Sequence, residues 1–298
     1  MDKTYPDKAY TLLAVLAHPD DESFGMGGTL ALYARRGVQV HLVCATRGEV
    51  GEVDEEHMNG YQTIADLRVQ ELRCAAEKLG LAGVHFLDYR DSGMPGSPEN
   101  LHPKSLVQAP LDQAAKDVAH YIRMLKPQVV ITFDPIGGYR HPDHIAVHNA
   151  TVRAFHIAGD ANEYPGELPP YQPQKLYFHT FSRRFFRIAL RLMPLFGINP
   201  RRFGRNHDID LTTLAIEDFP VNAQIDYREV AEAKAEASAC HASQEGPQMR
   251  GGIMGLIFRL IGDNETYMRA YPDPEERHIE RDLFSGVNVE ETQPETSA

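Results

Sequence analysis

Two clusters of histidine and carboxylate side chains, more than 100 residues apart, could carry out chemistry in this chain. The first contains His18, Asp20, Asp21 and Glu22 and follows an apolar run at residues 12–16. Three carboxyl groups crowded at the end of a buried strand would raise one another's pKa unless a cation or hydrogen bonds compensate. A bound metal ion is the simplest compensation.

The second cluster contains His141 and His144, with a proline and an acid between them. Residues three apart lie on one helical face, so either imidazole could join His18 and Asp21 around one ion if the proline occupies the first helical turn. A ligand set of His, Asp and His with a fourth position open to water is typical of catalytic zinc, although ferrous iron or another divalent ion remains possible.

The remaining polar residues of the two clusters have predicted roles in catalysis or support. Asp20 could accept a proton from an activated water. Asp143 could bond His141 and fix its tautomer, leaving His141 as an acid or an oxyanion stabiliser. Tyr139 could add a phenolic donor. Glu22 is at least as well explained as support for the helix that follows it.

The elements that must position these residues alternate in type along the first half of the chain. This alternation indicates an α/β fold built of βαβ units around a parallel sheet. The predicted strands cover residues 12–17, 38–45, 84–87 and 129–133, and the predicted helices cover 27–36, 64–79, 114–125 and 141–158. Because ligands bind outside the carboxyl ends of such strands, both clusters fall at the expected crevice.

The pattern changes after residue 159, which predicts a smaller α+β part in the C-terminal half. Its predicted elements are a proline-rich crossing at 161–173, strands at 175–180, 208–216 and 221–226, and a helix at 228–241. We therefore expect a catalytic core at 1–160, a C-terminal part at 161–288 that completes the sheet and the substrate pocket, and a disordered acidic tail at 289–298.

Composition excludes several classes of protein. A net charge of −12 argues against a nucleic-acid-binding surface. Cys44, Cys74 and Cys240 lie far apart without CxxC spacing, so we expect neither a disulfide framework nor a thiolate zinc site. No secretory signal or membrane-spanning segment is recognisable, and a cytoplasmic protein fits best.

Glycines at positions 25, 27 and 28 follow the first strand and invite a dinucleotide-binding interpretation. The full GxGxxG spacing is missing, and the preceding carboxylates would face a pyrophosphate. A non-catalytic, Rossmann-like protein that binds a metal or a nucleotide is therefore an alternative to an enzyme, but not the favoured one.

The motifs His-Pro-Asp-Asp-Glu at 18–22 and His-Pro-Asp-His at 141–144 resemble those of the PIG-L/LmbE-like deacetylases, which remove acetyl groups from N-acetylglucosamine conjugates. The resemblance covers roughly residues 12–155. It implies a Rossmann-like, mostly parallel sheet with helices on both faces, and it assigns individual roles. The implied zinc ligands are His18, Asp21 and His144; Asp20 is the implied general base, and His141 stabilises the tetrahedral intermediate or protonates the leaving amine.

More of the chain resembles the related enzymes of mycothiol metabolism. Tyr139 occupies the place of a mobile tyrosine near the oxyanion, Arg68 and Asp91 occupy sugar-binding positions, and Glu49 lies in a loop that lines the pocket. Residues 241–244 resemble a C-terminal His-x-Ser/Thr-Gln element.

The function expected from the sequence is hydrolysis, by attack of a zinc-bound water, of the acetamide of a small amino-sugar conjugate. The close alternative is an amidase acting on a larger acyl group or a thiol-conjugate amide. Segments 183–203 and 249–260 have no counterpart that we can assign in the mycothiol enzymes. We expect packing against the core for the first, ahead of a lid or a peripheral membrane contact. The oligomeric state is left open.

Overall fold

A computed structural model describes most of the chain. The described residues are 4–5, 10–180, 190–191, 193–197, 199–202, 212, 219–244, 263–274 and 278–288. About half of segment 183–203, most of the predicted strand 208–216, all of segment 249–260 and the tail from 289 lie outside these residues. The predictions made for those segments stay predictions.

The described strands form one sheet of seven, in the order β3-β2-β1-β4-β5-β7-β6. They are β1 (Thr11–Leu16), β2 (Gln39–Thr46), β3 (Gly83–Tyr89), β4 (Val129–Phe133), β5 (Lys175–Thr180), β6 (Ala223–Asp226) and β7 (Asn264–Tyr271). Strands β1 to β5 pair in parallel, and β7 runs antiparallel to both β5 and β6. The predicted α/β class with a mostly parallel sheet is confirmed.

The helices fall into two packed groups. They are α1 (Asp21–Phe24), α2 (Gly27–Arg35), α3 (Ile64–Leu79), α4 (Leu111–Leu125), α5 (Gly137–Arg140), α6 (Pro142–Ile157) and α7 (Ala231–Cys240). Helices α2, α3 and α7 pack together, and α4 packs on α6. Every residue of β1 from Leu12 to Leu16 is fully buried, as expected for a parallel strand covered on both faces.

Local sequence explains where the site-bearing helices begin and end. Thr63 and Asp66 form a reciprocal capping box at the start of α3, and Gly80 ends it in a left-handed conformation. Helix α6 begins at Pro142, whose fixed φ suits the first turn, and His141 is its N-cap. The predicted helix and strand ends differ from the observed ones by at most three residues.

Strand β7 was not predicted from the sequence. It carries buried polar residues, including Glu265 and Thr266, and therefore lacks the apolar run typical of an internal strand. Glu265 accepts hydrogen bonds from the backbone N–H groups of Gly28 and Thr29, at 3.0 and 2.7 Å. This carboxylate occupies the N-terminus of α2, where a dinucleotide phosphate would bind, so the structure does not support the dinucleotide interpretation.

Cys74 and Cys240 form a disulfide, so the expectation that no cysteines pair is wrong. Helices α3 and α7 pack side by side and bring the two Cα atoms to 5.8 Å, although 166 residues separate them in sequence. Spacing alone could not show this contact. Cys44 is a buried free thiol in β2. Among the described residues, no helix is long and apolar enough to cross a membrane.

Candidate metal centre and active site

The crevice lies at the carboxyl ends of the parallel strands, as predicted. The turn after β1 supplies His18 to Asp21, the loop after β3 supplies Asp91, and the turn after β4 supplies Tyr139 to His144. His144 is oriented by β4, because Phe133 stacks on its imidazole with ring centroids 4.0 Å apart. The two sequence clusters therefore meet in space.

Three side chains place ligand atoms around one point. His18 Nδ1 and His144 Nε2 are 3.3 Å apart, and the Asp21 carboxylate faces both, with Oδ2 3.6 Å from the first nitrogen and Oδ1 3.3 Å from the second. Ligand atoms about 2.1 Å from a tetrahedral zinc ion lie roughly 3.4 Å from one another. The residues thus fit a divalent metal bound by His, Asp and His.

The other nitrogen of His18 faces carboxylates. Its Nε2 lies 3.1 Å from Asp143 Oδ2 and 3.5 Å from Asp91 Oδ1. These carboxylates accept bonds from the backbone N–H groups of Ser92 and Gly93 respectively, both at 2.8 Å. Such partners fix the tautomer and orientation of a ligating histidine.

Two further sets of potential ligands share His18 in the same crevice: one adds His141 and His144, the other Asp91 and Asp143. We favour the set of His18, Asp21 and His144, because His18 Nδ1 lies 3.3 Å from His144 Nε2 and both nitrogens face the Asp21 carboxylate. Asp143 Oδ1 is buried and has no hydrogen-bond partner among the described residues.

The contact of Asp143 differs from our expectation. Its carboxylate bonds His18, and it is the backbone N–H of Asp143 that donates to His141 Nδ1, at 3.1 Å. The reason is local: as the N-cap of α6, His141 receives a backbone donor, while the Asp143 side chain points across to the turn after β1.

Charge around the site keeps Asp21 ionised. Burial alone would raise the pKa of the Asp21 carboxyl, but the neighbouring His144 and hydrogen bonds to both imidazoles hold it well below its usual range. Burial would lower the pKa of His18, yet Asp91, Asp143 and Asp21 raise it well above its usual value. The pocket is therefore strongly anionic and suited to a cation.

Asp20 is held beside the predicted ligands by Arg68. Its Oδ2 accepts a bond from the Arg68 guanidinium at 3.0 Å, and the same guanidinium donates to the carbonyls of Pro19 and Gly48, at 2.7 and 3.1 Å. Gly48 permits this approach, because a Cβ there would lie 2.2 Å from an Arg68 nitrogen and the backbone φ is +68°. Burial raises the pKa of Asp20 to about 6, against the opposing charge of Arg68.

His141 and Tyr139 are placed on the opposite wall by a turn that needs glycine. Gly137 and Gly138 have φ values of +65° and +63°. Burial, with the nearby His18 and other groups, holds the pKa of His141 well below its usual value, so the ring is neutral. Burial also raises the pKa of the Tyr139 phenol well above its usual value. Both side chains are therefore uncharged potential donors.

The three expected substrate-binding residues lie in the crevice walls. Arg68 is buried and bonded as described above. Asp91 is buried beside His18, and its backbone N–H donates to Glu49 Oε2 at 3.1 Å. Their predicted contacts with a sugar stay predictions.

Glu22 has the supporting role that the sequence indicated, but the layer of contacts behind the site, in which it lies, was not predicted. Glu22 accepts bonds from the Asp20 N–H and from His241, and Glu71 accepts two bonds from Ser243. The motif at 241–244 indicated that this segment mattered, but nothing in the sequence indicated which acids it would meet.

Comparison with known proteins identifies the family. The PIG-L family, described as GlcNAc-PI de-N-acetylase, matches residues 13–155. A 1D-myo-inositol 2-acetamido-2-deoxy-alpha-D-glucopyranoside deacetylase 2 of Catenulispora acidiphila is 36% identical over 93% of this chain and 97% of its own length. A deacetylase of the same name, without the numeral, from Rhodococcus erythropolis is 38% identical over 94% of this chain and 98% of its own length.

Solved structures share the fold at lower identity. The N,N'-diacetylchitobiose deacetylase of Pyrococcus horikoshii is 20% identical, with a TM-score of 0.60 over 87% of this chain and 83% of its own. GalB, a 4-carboxy-2-hydroxymuconate hydratase of Pseudomonas putida KT2440, is 21% identical, with a TM-score of 0.59 over 90% of this chain and 98% of its own. Since the fold hosts a hydratase too, the sequence relatives decide the assignment. The chain belongs to the PIG-L family of de-N-acetylases and is an N-deacetylase, a hydrolase of amide bonds.

Proposed function

We propose that this enzyme removes the N-acetyl group from a small N-acetylglucosamine conjugate, giving acetate and a free amine, with a divalent metal, foremost zinc, held by His18, Asp21 and His144. The observation that carries the proposal is the close approach of three side chains, in which His18 Nδ1, His144 Nε2 and the two Asp21 oxygens make contacts of 3.3–3.6 Å. Asp20 and the uncharged side chains of His141 and Tyr139 lie around them. An inositol conjugate is the first candidate, because the sequence relatives are named for one.

The metal and the protein have separate tasks in this reaction. When bound, zinc supplies a water whose pKa is lowered to roughly 7 and an electrophile for the amide carbonyl. Asp20 is the proton acceptor, because its carboxylate lies beside the ligands and its pKa of about 6 lets it take and return a proton near neutral pH. Asp20 then delivers that proton to the departing amine.

The geometry favours an oxyanion-stabilising role for His141 over that of an acid. Its Nδ1 accepts the Asp143 N–H, so in the neutral ring the proton lies on Nε2, which can donate to the developing oxyanion. The lowered pKa of His141 opposes the charged form that an acid needs. The protonated phenol of Tyr139, whose ring centroid is 5.8 Å from that of His141, can add a second donor.

Recognition of the sugar involves the loops after β2 and β3. Glu49 is half-buried in the first loop and linked to the second through the Asp91 N–H. Carboxylates at the crevice wall can accept hydrogen bonds from sugar hydroxyls. Arg68 contributes through Asp20, because its terminal nitrogens are bonded to that residue and to backbone carbonyls.

The test is acetate release from N-acetylglucosaminyl-inositol by metal-stripped enzyme to which zinc or ferrous iron is added back, with metal content measured in parallel. We expect turnover only with metal. Asp20→Asn should reduce kcat by at least about 10²-fold, as loss of a general base does, while zinc binding persists. Near-normal turnover by this variant would refute the role of Asp20, and the same zinc affinity after His144→Ala would refute the ligand set.

A further inference from the structure

We propose that Glu22 and His241 form a positioning pair that fixes the backbone of Asp20 and so aims its carboxylate at the reacting centre. This inference rests on the proposed function, in which Asp20 is the proton acceptor. Neither residue touches the substrate in this account. Both act through the turn that carries Asp20.

The turn needs such support because Asp20 has an unusual backbone. Its φ is +129° and its ψ is −30°, a conformation that residues with a Cβ rarely adopt. Such a residue persists only where its surroundings determine the conformation. The Arg68 guanidinium holds the side chain and the carbonyl of Pro19. The N–H of Asp20 requires a different partner.

Glu22 is that partner. Its Oε2 accepts the Asp20 N–H at 3.0 Å, across the turn between β1 and α1. Its Oε1 accepts bonds from His241 Nε2 at 2.7 Å and from the Ser23 hydroxyl at 2.6 Å. The Glu22 side chain is fully buried, so water cannot replace a lost partner. The direction of this carboxylate therefore depends on His241 together with the Ser23 hydroxyl, and His241 is the partner from a distant part of the chain.

His241 is itself fixed from several sides. It is fully buried, and the ring of Phe24 meets it edge-on with centroids 5.7 Å apart. The preceding residue, Cys240, is joined to α3 by the disulfide. Two residues later, the Ser243 N–H and hydroxyl bond Glu71 of α3 at 2.8 and 2.7 Å. The C-terminal part of the chain thus contacts the turn that carries Asp20, through the bond between His241 and Glu22, which lie 219 residues apart in sequence.

A buried ion pair could serve folding alone, so the arrangement must be distinguished from a purely structural one. The distinguishing feature is that one oxygen of Glu22 bonds His241 and the Ser23 hydroxyl while the other bonds the Asp20 N–H. Loss of His241 should therefore displace Asp20, the proposed general base, without removing any of the proposed metal ligands. Misplacement of a catalytic group by about 1 Å commonly costs on the order of 10²-fold in rate.

The test compares His241→Ala with the conservative His241→Gln, whose amide nitrogen can replace Nε2 as a donor. We expect His241→Ala to lower kcat by about 10- to 100-fold with KM and zinc affinity within about twofold of the wild type. His241→Gln should restore most of kcat. In a cycle with Glu22→Ala, the double variant should lose no more kcat than Glu22→Ala alone, because His241 acts through Glu22.

A second readout does not depend on activity. Amide hydrogen exchange at Asp20 should accelerate in His241→Ala and return toward the wild-type rate in His241→Gln. The matched control is Lys175→Met, which breaks another buried ion pair, with Glu280, at the amino end of β5. This variant should lose stability while keeping kcat and the exchange rate at Asp20.

Unchanged kcat and unchanged Asp20 exchange in His241→Ala would overturn the inference, as would additive losses in the cycle. These outcomes are separable from failure of the proposed function. If the wild type releases no acetate with any metal, the proposed function fails; if the wild type is active and Asp20→Asn is inactive while His241→Ala is fully active, only the positioning pair fails.

Discussion

Reducing the disulfide between Cys74 and Cys240 should destabilise the protein by an amount that the topology sets. The bond joins α3 to α7 across 166 residues of sequence. In the chain-entropy model, closing a loop of that length contributes about 5 kcal/mol at 25 °C, and measured values commonly reach about 2–4 kcal/mol. We therefore expect reduction to lower the free energy of unfolding by about 2–4 kcal/mol.

The assay is urea unfolding followed by circular dichroism, with and without dithiothreitol. The wild-type midpoint should fall on reduction, and the Cys74→Ser/Cys240→Ser variant should unfold at the reduced midpoint under both conditions. Cys44→Ala is the matched control, because it removes the buried free thiol and should leave the response to reductant intact. The same wild-type midpoint with and without reductant would show that the two helices are not joined in solution.

Three further outcomes follow from the structure. Arg68→Met should lower kcat by about 10²-fold or more with zinc retained, measured by acetate release and metal analysis, because the partly buried Asp20 loses its charged partner. Gly28→Ala should lower stability by about 1–3 kcal/mol in urea unfolding, because its Cβ would lie 2.2 Å from the Tyr227 ring. Burial lowers the pKa of His179 to about 4, so the unfolded state binds more protons between pH 6.5 and 4. Stability should be complete above pH 6.5 and fall by up to about 3 kcal/mol toward pH 4, and His179→Gln should flatten that decline in unfolding measured against pH.

The parallel half of the fold could be predicted because its signals are local. Strands such as 129–133 are continuous apolar runs, and Gly80 marks a helix end in the sequence as it does in the structure. Strand β7 could not be predicted in the same way. Glu265 is buried there because it binds the N-terminus of α2, a partner more than 230 residues away. Considered only with its sequence neighbours, a charged residue such as Glu265 indicates a solvent-exposed position.

The candidate site could likewise be predicted in part: the local features could, and the long-range contacts could not. Spacing and the family resemblance bring together His18, Asp20 and His144, since each follows a strand whose end is predictable. The assignment of side-chain partners is long-range and was not predictable: the Asp143 carboxylate bonds His18 in place of His141, and the disulfide joins cysteines without a spacing motif. Such contacts depend on how helices pack, and a single sequence does not encode that in any local pattern.

The crowding of acids after β1 suggests a bound metal ion, but in the structure two of these acids have partners within the protein. Asp20 is compensated by Arg68, and Glu22 by His241 and backbone and hydroxyl donors, so two of the three carboxylates need no metal ion. The third, Asp21, lies against two imidazole nitrogens that face the same point. Repulsion among the acids is therefore a weak argument for a metal here. The strong argument is the convergence of three side chains, because two imidazole nitrogens and a carboxylate turned toward one another need a shared proton or cation between them.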